Sequence, residues 1–275
     1  MGVLDEIITH KRSELARLRS RRPAGELEAA CRGLPPVLAF EAALRPSPPA
    51  RVRLIAEVKK ASPSQGVLNA DLDPVAQARA YAGAGAAAIS VLTDEKYFRG
   101  SLADLVAVRA AVGVPLLRKE FIVDEYQLWE SRAAGADAVL LIVAALDRES
   151  LEDLAQAAKG IGLATLVEIH GASELDEALR LGAPVIGVNN RDLQTLRTSL
   201  EPSLALLPRI PPGPVAVSES GIATGADVER VVAAGAHAIL VGEGLVRAGD
   251  VRAKMRELLL TPPLAEARER GRGQR

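Results

Sequence analysis

The chain has 275 residues, with 34 Lys+Arg against 35 Asp+Glu and a formal net charge of −1; 48% of it is apolar and only 3% aromatic. That length and apolar content suit one large α/β domain or two ordinary ones and exclude global disorder. The balanced charge excludes a general nucleic-acid binder, which carries a basic surplus, and a polybasic membrane-surface protein.

Cys31 is the single cysteine, so no internal disulfide and no CxxC metal site can form. The opening MGVLDEIITHKRSELARLRS is charged throughout and has no apolar stretch of the signal-peptide kind. The longest clean apolar run, residues 138–146, falls far short of the roughly 20 residues a membrane-spanning helix needs. A soluble, cytoplasmic protein is expected.

In chain order, residues 3–19 carry apolar positions Val3, Leu4, Ile7, Ile8, Leu15 and Leu18 and predict an amphipathic helix. A Pro-punctuated stretch follows, with a short helical piece near 37–44 and a linker or tight loop at 45–50. From Arg51 the rhythm changes. Apolar runs at 54–58, 87–92, 115–118, 138–143, 164–168, 185–188, 215–218 and 238–241 read as strands. Helical composition follows each, at 74–82, 102–112, 125–134, 148–159, 172–181, 200–207, 225–234 and 245–260. Almost wholly apolar strands alternating with helices predict parallel strands covered on the outside. A Gly-Ala pair precedes every second strand, at Gly85, Gly135, Gly182 and Gly235. A repeat every two βα units over eight units predicts a closed (β/α)8 (TIM) barrel. The plainer alternative is that Gly merely ends helices. An open doubly wound sheet would carry a glycine-rich first turn, whereas the first strand here runs into Lys59-Lys60-Ala61-Ser62-Pro63. The expected organisation is an N-terminal helical extension over 1–50 packed on a barrel over 51–260, with a flexible tail over 261–275.

Function in this fold sits at the C-terminal ends of the strands. Strand alternation points Glu57 and Lys59 the same way, as an acid–base or charge-recognition pair or as a plain salt bridge. The third strand ends Arg118-Lys119-Glu120-Phe121 and the fifth ends at Glu168. The chain has 27 Arg and only 7 Lys, yet Lys59, Lys60 and Lys119 cluster at strand ends. Lysine there suits a proton that must leave, which guanidinium cannot supply; chance clustering is the alternative. Two of the three Asn are Asn189-Asn190, followed by Arg191-Asp192. Asn and Arg at a barrel mouth can bind a carboxylate, or the Asn pair can simply form a turn. The seventh and eighth strands end in Ser218-Glu219-Ser220-Gly221 and Gly242-Glu243-Gly244, a phosphate-cradle pattern of open backbone N–H groups. Tyr97, Phe98 and Phe121 follow strands and can line a pocket for a flat ring; Tyr81, Tyr126 and Trp129 lie in helical segments and are expected to pack. His10, His170 and His237 have no partner pattern and are expected to be structural or surface residues, with no metal bound. The substrate implied is a phosphorylated small molecule with a carboxylated or aromatic part, turned over by proton transfers without a cofactor.

Six stretches carry a specific resemblance: IAEVKKASPSQGV (55–67), LRKEFIVDE (117–125), AGADAVLLI (134–142), LVEIH (166–170), GVNNRDL (187–193) and SESGI (218–222). In order, and together with VLDEIITHKRSEL near the start, they resemble the indole-3-glycerol phosphate synthases of tryptophan biosynthesis over about residues 3–260. The resemblance implies a substrate, 1-(2-carboxyphenylamino)-1-deoxyribulose 5-phosphate, that is ring-closed, decarboxylated and dehydrated. It implies Lys119 as the general acid at the ribulose carbonyl and Glu168 as the base of later steps. Glu57 and Lys59 are the supporting charges, Lys59 also reaching toward the phosphate. Ser62, with Pro63 beside it, Asn189 and Arg191 surround the anthranilate carboxylate. Ser220, Gly221 and Gly242, between Glu219 and Glu243, form the phosphate cradle, and Phe98 and Phe121 the aromatic wall. The chain departs from the family at Gly244, where a Ser often follows Gly-Glu; a hydroxyl contact is absent there and backbone contacts remain.

Two rival readings remain at this stage. One is a phosphoribosyl-sugar isomerase of the same barrel class, which would release no CO2. The other is a non-catalytic barrel that binds a phosphorylated ligand without turnover. No nucleic acid, membrane or oligomeric partner is evident.

Overall fold

The computed structural model describes residues 2–193 and 195–261. Eight strands close into a parallel barrel: β1 (Arg53–Val58), β2 (Ala88–Leu92), β3 (Leu116–Lys119), β4 (Ala138–Ile142), β5 (Ala164–Ile169), β6 (Val185–Asn189), β7 (Val215–Glu219) and β8 (Ala238–Val241). Neighbours in sequence are neighbours in space, and β8 pairs with β1, Arg53 standing opposite Ala238. That last pairing distinguishes the barrel from an open sheet. Each strand lies within one residue of its sequence-predicted bounds. The expected tail at 261–275 falls, beyond Thr261, outside the described residues.

Outside the barrel run α4 (Pro74–Gly83), α5 (Glu95–Phe98), α6 (Leu102–Ala111), α7 (Glu125–Ala133), α8 (Arg148–Ile161), α9 (Ala172–Arg180), α10 (Glu201–Leu206), α11 (Gly225–Ala233), α12 (Glu243–Val246) and α13 (Val251–Leu258). Side-chain caps start many of them: Asp73, Ser101, Asp124, Asp147, Thr224 and Asp250 each accept from a backbone N–H of the first turn. The cap at Asp250 also explains why the single helix expected over 245–260 is two, α12 and α13. Gly85, Gly135, Gly182 and Gly235 have φ of 96°, 88°, 69° and 111°, just past α4, α7, α9 and α11. The Gly-Ala echo is therefore a set of left-handed helix ends repeated at alternate βα units, so both sequence readings describe one feature.

Alternation along each strand sorts the core into two shells. Leu54, Ala56 and Val58 of β1 face the helices, whereas Ile55 joins an inner cluster with Leu117, Leu140, Leu166, Val217 and Leu240. Continuing the inward register toward the strand ends reaches Glu57 on β1, Lys119 on β3, Glu168 on β5 and Glu219 on β7. The odd strands thus supply one polar layer at the C-terminal mouth, as expected where layers are built from alternate strands.

The N-terminal residues meet the barrel at both ends. α1 (Val3–Arg21) brings Val3, Leu4 and Ile7 to the mouth. α2 (Ala24–Cys31), too short for its period to be visible in the sequence, packs Leu27 with Leu15 and Tyr126. α3 (Phe40–Ala43) inserts Phe40 and its neighbour Leu44 among Ile55, Ala88, Val185 and Val215, closing the end where the strands begin. Among the described residues no helix is long and apolar enough to cross a membrane.

Candidate active site

The residues that the family resemblance assigns to the site all line one cleft at the mouth of the barrel. At its floor, Lys119 Nζ lies 2.6 Å from Glu168 Oε2 and 2.7 Å from Glu219 Oε2. Asn189 Nδ2 donates to Glu168 Oε1 at 3.1 Å. Beside them Lys59 Nζ lies 2.7 Å from Glu57 Oε2. All three glutamates are buried. Two close approaches depend on glycine: a Cβ on Gly187 of β6 would collide with Glu219 Oε1, and one on Gly242 with Glu57 Oε2.

Three carboxylates therefore face two ammonium groups in a site that excludes most water. Burial by itself pulls Lys119 toward the neutral amine, but Glu168, Glu219 and Glu57 outweigh it and hold its pKa above the ordinary lysine value. Burial raises Glu168, while the Lys119 and His170 charges and the hydrogen bonds from Lys119 and Asn189 bring it down below the usual carboxylate range. Glu219 goes the other way. Burial raises it most, Lys119 offsets part of that, and the nearby Glu168 and Glu57 charges push it further, to about 7. Its Oε1 is buried with no hydrogen-bond partner. Of the two glutamates on Lys119, Glu219 is therefore the one that takes up a proton more readily. Such a pair of carboxyl groups driven apart in pKa suits acid–base chemistry.

Around this floor the rim divides by chemistry. Phe98 and Phe121 form one wall, with ring centroids 6.1 Å apart and planes at 43°. Arg191 Nη1 donates to Ser64 Oγ at 2.7 Å and to the Leu196 carbonyl at 3.0 Å, and Ser64 lies 3.4 Å from Ser62, beside Pro63. Asn189 Oδ1 accepts from the Arg191 N–H at 3.1 Å, which couples the turn after β6 to Glu168. Opposite, Ser220 and Gly221 take left-handed φ of 64° and 74°. With Gly242, Glu243 and Gly244 they line the side facing the last two βα turns. Glu243 Oε2 is 4.0 Å from Arg191 Nη2.

Two expectations go elsewhere. Lys60 pairs with Asp104 at 2.8 Å, away from the cleft. The Tyr97 hydroxyl donates to Glu6 of α1 at 3.0 Å, and its ring meets His10 edge-on at 5.9 Å. Sequence reasoning also missed contributors. Val3, Leu4 and Ile7 cover part of the cleft from α1, which no strand-end argument could reach. Lys11 on the same helix is buried with Asp94 at 2.9 Å and Glu120 at 3.1 Å, behind the aromatic wall. His170, read from sequence as structural or surface, stands with Nε2 at 3.5 Å from Glu168 Oε1. Its place two residues past Glu168 was the available signal, since residues i and i+2 of a strand share a face.

A (β/α)8 barrel whose mouth holds a buried lysine between two glutamates, an aromatic wall and a polar rim belongs to the class of barrel enzymes that work by proton transfer. The family model for indole-3-glycerol phosphate synthase matches residues 4–258. An indole-3-glycerol phosphate synthase of Roseiflexus sp. strain RS-1 is 51% identical over 264 residues, covering 93% of this chain and 97% of that protein. One of Laribacter hongkongensis strain HLHK9 is 48% identical over 258 residues, covering 93% and 98%. The 3-hexulose-6-phosphate synthase structure from Salmonella typhimurium superposes with a TM-score of 0.62 at 15% identity, over 76% of this chain and 98% of that one, a likeness of fold alone. The chain belongs to the indole-3-glycerol phosphate synthase family. Its activity is that of a carboxy-lyase of tryptophan biosynthesis, converting 1-(2-carboxyphenylamino)-1-deoxyribulose 5-phosphate to indole-3-glycerol phosphate, CO2 and water.

Proposed function

We propose that Lys119 and Glu168 are the acid and base of this ring closure. The observation that carries the assignment is the 2.6 Å contact between Lys119 Nζ and Glu168 Oε2 at the floor of the cleft. As the ring carbon bearing the carboxylate attacks the ribulose carbonyl, negative charge gathers on the carbonyl oxygen, and the Lys119 ammonium neutralises it and delivers a proton. Loss of CO2 then restores the aromatic ring, so this step needs no electron sink and no cofactor. At dehydration Glu168 removes a proton from the carbon beside the resulting hydroxyl and passes it to Lys119, which delivers it to the hydroxyl as that departs as water.

Glu57 and Lys59 act as supporting charges, and Lys59 reaches toward the phosphate. The anthranilate carboxylate sits among Ser62, Pro63, Asn189 and Arg191, and its ring against Phe98 and Phe121. The phosphate takes the side of Ser220, Gly221, Gly242 and Glu243, where glycines let the backbone approach. Glu219 serves this site by holding Lys119. Residues 1–50 act as an extension of the barrel, ordering substrate through α1. The balance of 34 basic and 35 acidic residues supports a cytoplasmic enzyme acting on a free small molecule, without nucleic acid or membrane. The test is to supply the carboxyphenylamino ribulose phosphate and follow indole fluorescence and CO2 release with no added metal or cofactor. Turnover that stops in Lys119→Ala and Glu168→Gln supports the assignment, and unimpaired turnover in either variant rejects it.

A further inference from the structure

We propose that His170 and Glu174 form the proton route between solvent and the Glu168–Lys119 pair, refilling it once per turnover. This rests on the acid and base assignment above. The balance of the reaction demands a supply of protons. The substrate enters as a carboxylate and leaves as neutral CO2, so each turnover consumes one proton beyond those the substrate carries. Lys119 gives one proton to the carbonyl oxygen; at dehydration Glu168 takes one from carbon and passes it through Lys119, 2.6 Å away, to the departing hydroxyl, so Lys119 ends the turnover as the neutral amine. The net deficit of one must come from outside, while the substrate and α1 cover the mouth.

The geometry behind β5 offers a way in. Glu168 Oε2 faces Lys119 inside the cleft, and Oε1 faces the other way, toward Asn189 at 3.1 Å and His170 Nε2 at 3.5 Å. His170 Nε2 is buried and has no hydrogen-bond partner, although it is a polar atom aimed at a carboxylate. On the opposite edge of the ring, Nδ1 lies 3.3 Å from Glu174 Oε2, which also accepts the His170 backbone N–H at 2.7 Å. Glu174 lies in the first turn of α9 and its side chain keeps 24% of its exposure, against 3% for Glu168. His170 and Glu174 are not among the residues lining the cleft, so bound substrate does not sit on them. The sequence Glu174, His170, Glu168, Lys119 therefore runs from the surface to the reacting atoms through alternating carboxyl and nitrogen groups.

The charged groups facing His170 are Glu168 on its own strand, Glu174 on α9 and Glu219 on β7. Burial pulls the imidazole toward the neutral form, and these carboxylates together with the hydrogen bond to Glu174 outweigh it, raising its pKa. In transfer, Nδ1 takes a proton arriving at Glu174 while Nε2–H passes one to Glu168 Oε1, and Glu168 Oε2 returns one to the neutral Lys119 amine. No bond other than these N–H and O–H bonds changes. The 3.5 Å gap at Nε2 closes by a small ring rotation, as such contacts tighten when substrate binds.

The route is tested by comparing first-turnover and steady-state rates in His170→Asn and Glu174→Gln, each checked for native thermal stability. The enzyme starts each experiment already protonated, so the first turnover should keep its wild-type rate. Steady-state kcat should fall by about 100-fold for His170→Asn, with KM not raised, and added imidazole should restore His170→Gly. Equal falls in first-turnover and steady-state rates without imidazole rescue would mean a purely structural residue and overturn the route, as would a wild-type steady-state rate. If the His170 variants do not fold, Glu174→Gln carries the same test from a more exposed position. Glu168→Gln separates the two readings: it should abolish the first turnover, and if it does not, the acid and base assignment fails instead.

Discussion

Lys119 and Glu168 stand 49 positions apart in the chain and touch at 2.6 Å. The contact joins the last inward residue of β3 to that of β5, and Glu219 of β7 completes it from 2.7 Å. One ammonium thus faces two buried carboxyl groups. Lys119→Met removes it while keeping much of the volume. The expected loss in kcat is about 10²- to 10⁴-fold, with a smaller change in KM, read from indole formation. A fall in substrate affinity alone, with kcat retained, would count against a role in proton transfer.

Glu219 makes a prediction about stability and pH. Its pKa rises from 4.5 to about 7 on folding, so the folded protein holds a proton there that the unfolded chain has lost. The stabilisation is complete below about 4.5 and disappears as pH climbs through about 7. Glu168 acts in the opposite sense: its lowered pKa stabilises above its unfolded value of 4.5 and is lost at lower pH. Glu219→Gln removes the first effect alone. Urea midpoints measured at pH 5 and pH 8 should therefore differ less in the variant than in the wild type; an equal difference would contradict the shared-proton picture.

Lys11 fastens α1 to the barrel. Its ammonium contacts Glu14 at 2.8 Å, Asp94 at 2.9 Å and Glu120 at 3.1 Å while nearly all of the side chain is buried. Burial opposes its charge, Glu120 and Asp94 overcome that, and its pKa rises above the ordinary lysine value. Lys11→Met leaves Asp94 buried without its cation and Glu120 with only Arg118, at 3.8 Å, a change of a kind that typically costs about 3–5 kcal/mol. Calorimetry should register a lower Tm, and KM should rise because Val3, Leu4 and Ile7 ride on the same helix. The wild type should lose this contribution as pH rises above the unfolded lysine value of 10.5, and the variant should not. Truncation through α1 tests the same idea, provided that it stops short of Phe40 and Leu44, which pack in the barrel core.

Gly242→Ala is a steric probe of the charge pair on β1. The added Cβ would collide with Glu57 Oε2 and come within 3.1 Å of Lys59 Nζ. Both are flexible ends, so the pair should move and the barrel survive, at an overpacking cost of about 1–3 kcal/mol. If Lys59 takes the proposed place beside the substrate phosphate, its displacement should raise KM more than it lowers kcat. An unchanged KM would separate Lys59 from phosphate binding.

The strands, their bounds, the shared direction of Glu57 and Lys59 and the strand-end positions of Lys119 and Glu168 were all legible in the linear chain. Those features follow from a period of two along extended backbone and from helices ending in glycine, and both act over a few residues. The family motifs lie in these same local runs. Short elements escaped: α2 is only eight residues and α5 only four, too few for a period to stand out.

Closure of the barrel decided the rest. It brings Lys119 and Glu219, 100 positions apart, into an ion pair, and lays α1 across a mouth built from residues far downstream. It also separates Lys60, which turns to Asp104, from Lys59, which turns to Glu57. Which of two glutamates keeps the proton, and whether His170 meets solvent or a carboxylate, depends on burial and on neighbours supplied by other strands. Backbone periodicity reports which way a side chain points; the charge it carries there is set by what surrounds it once water has been excluded.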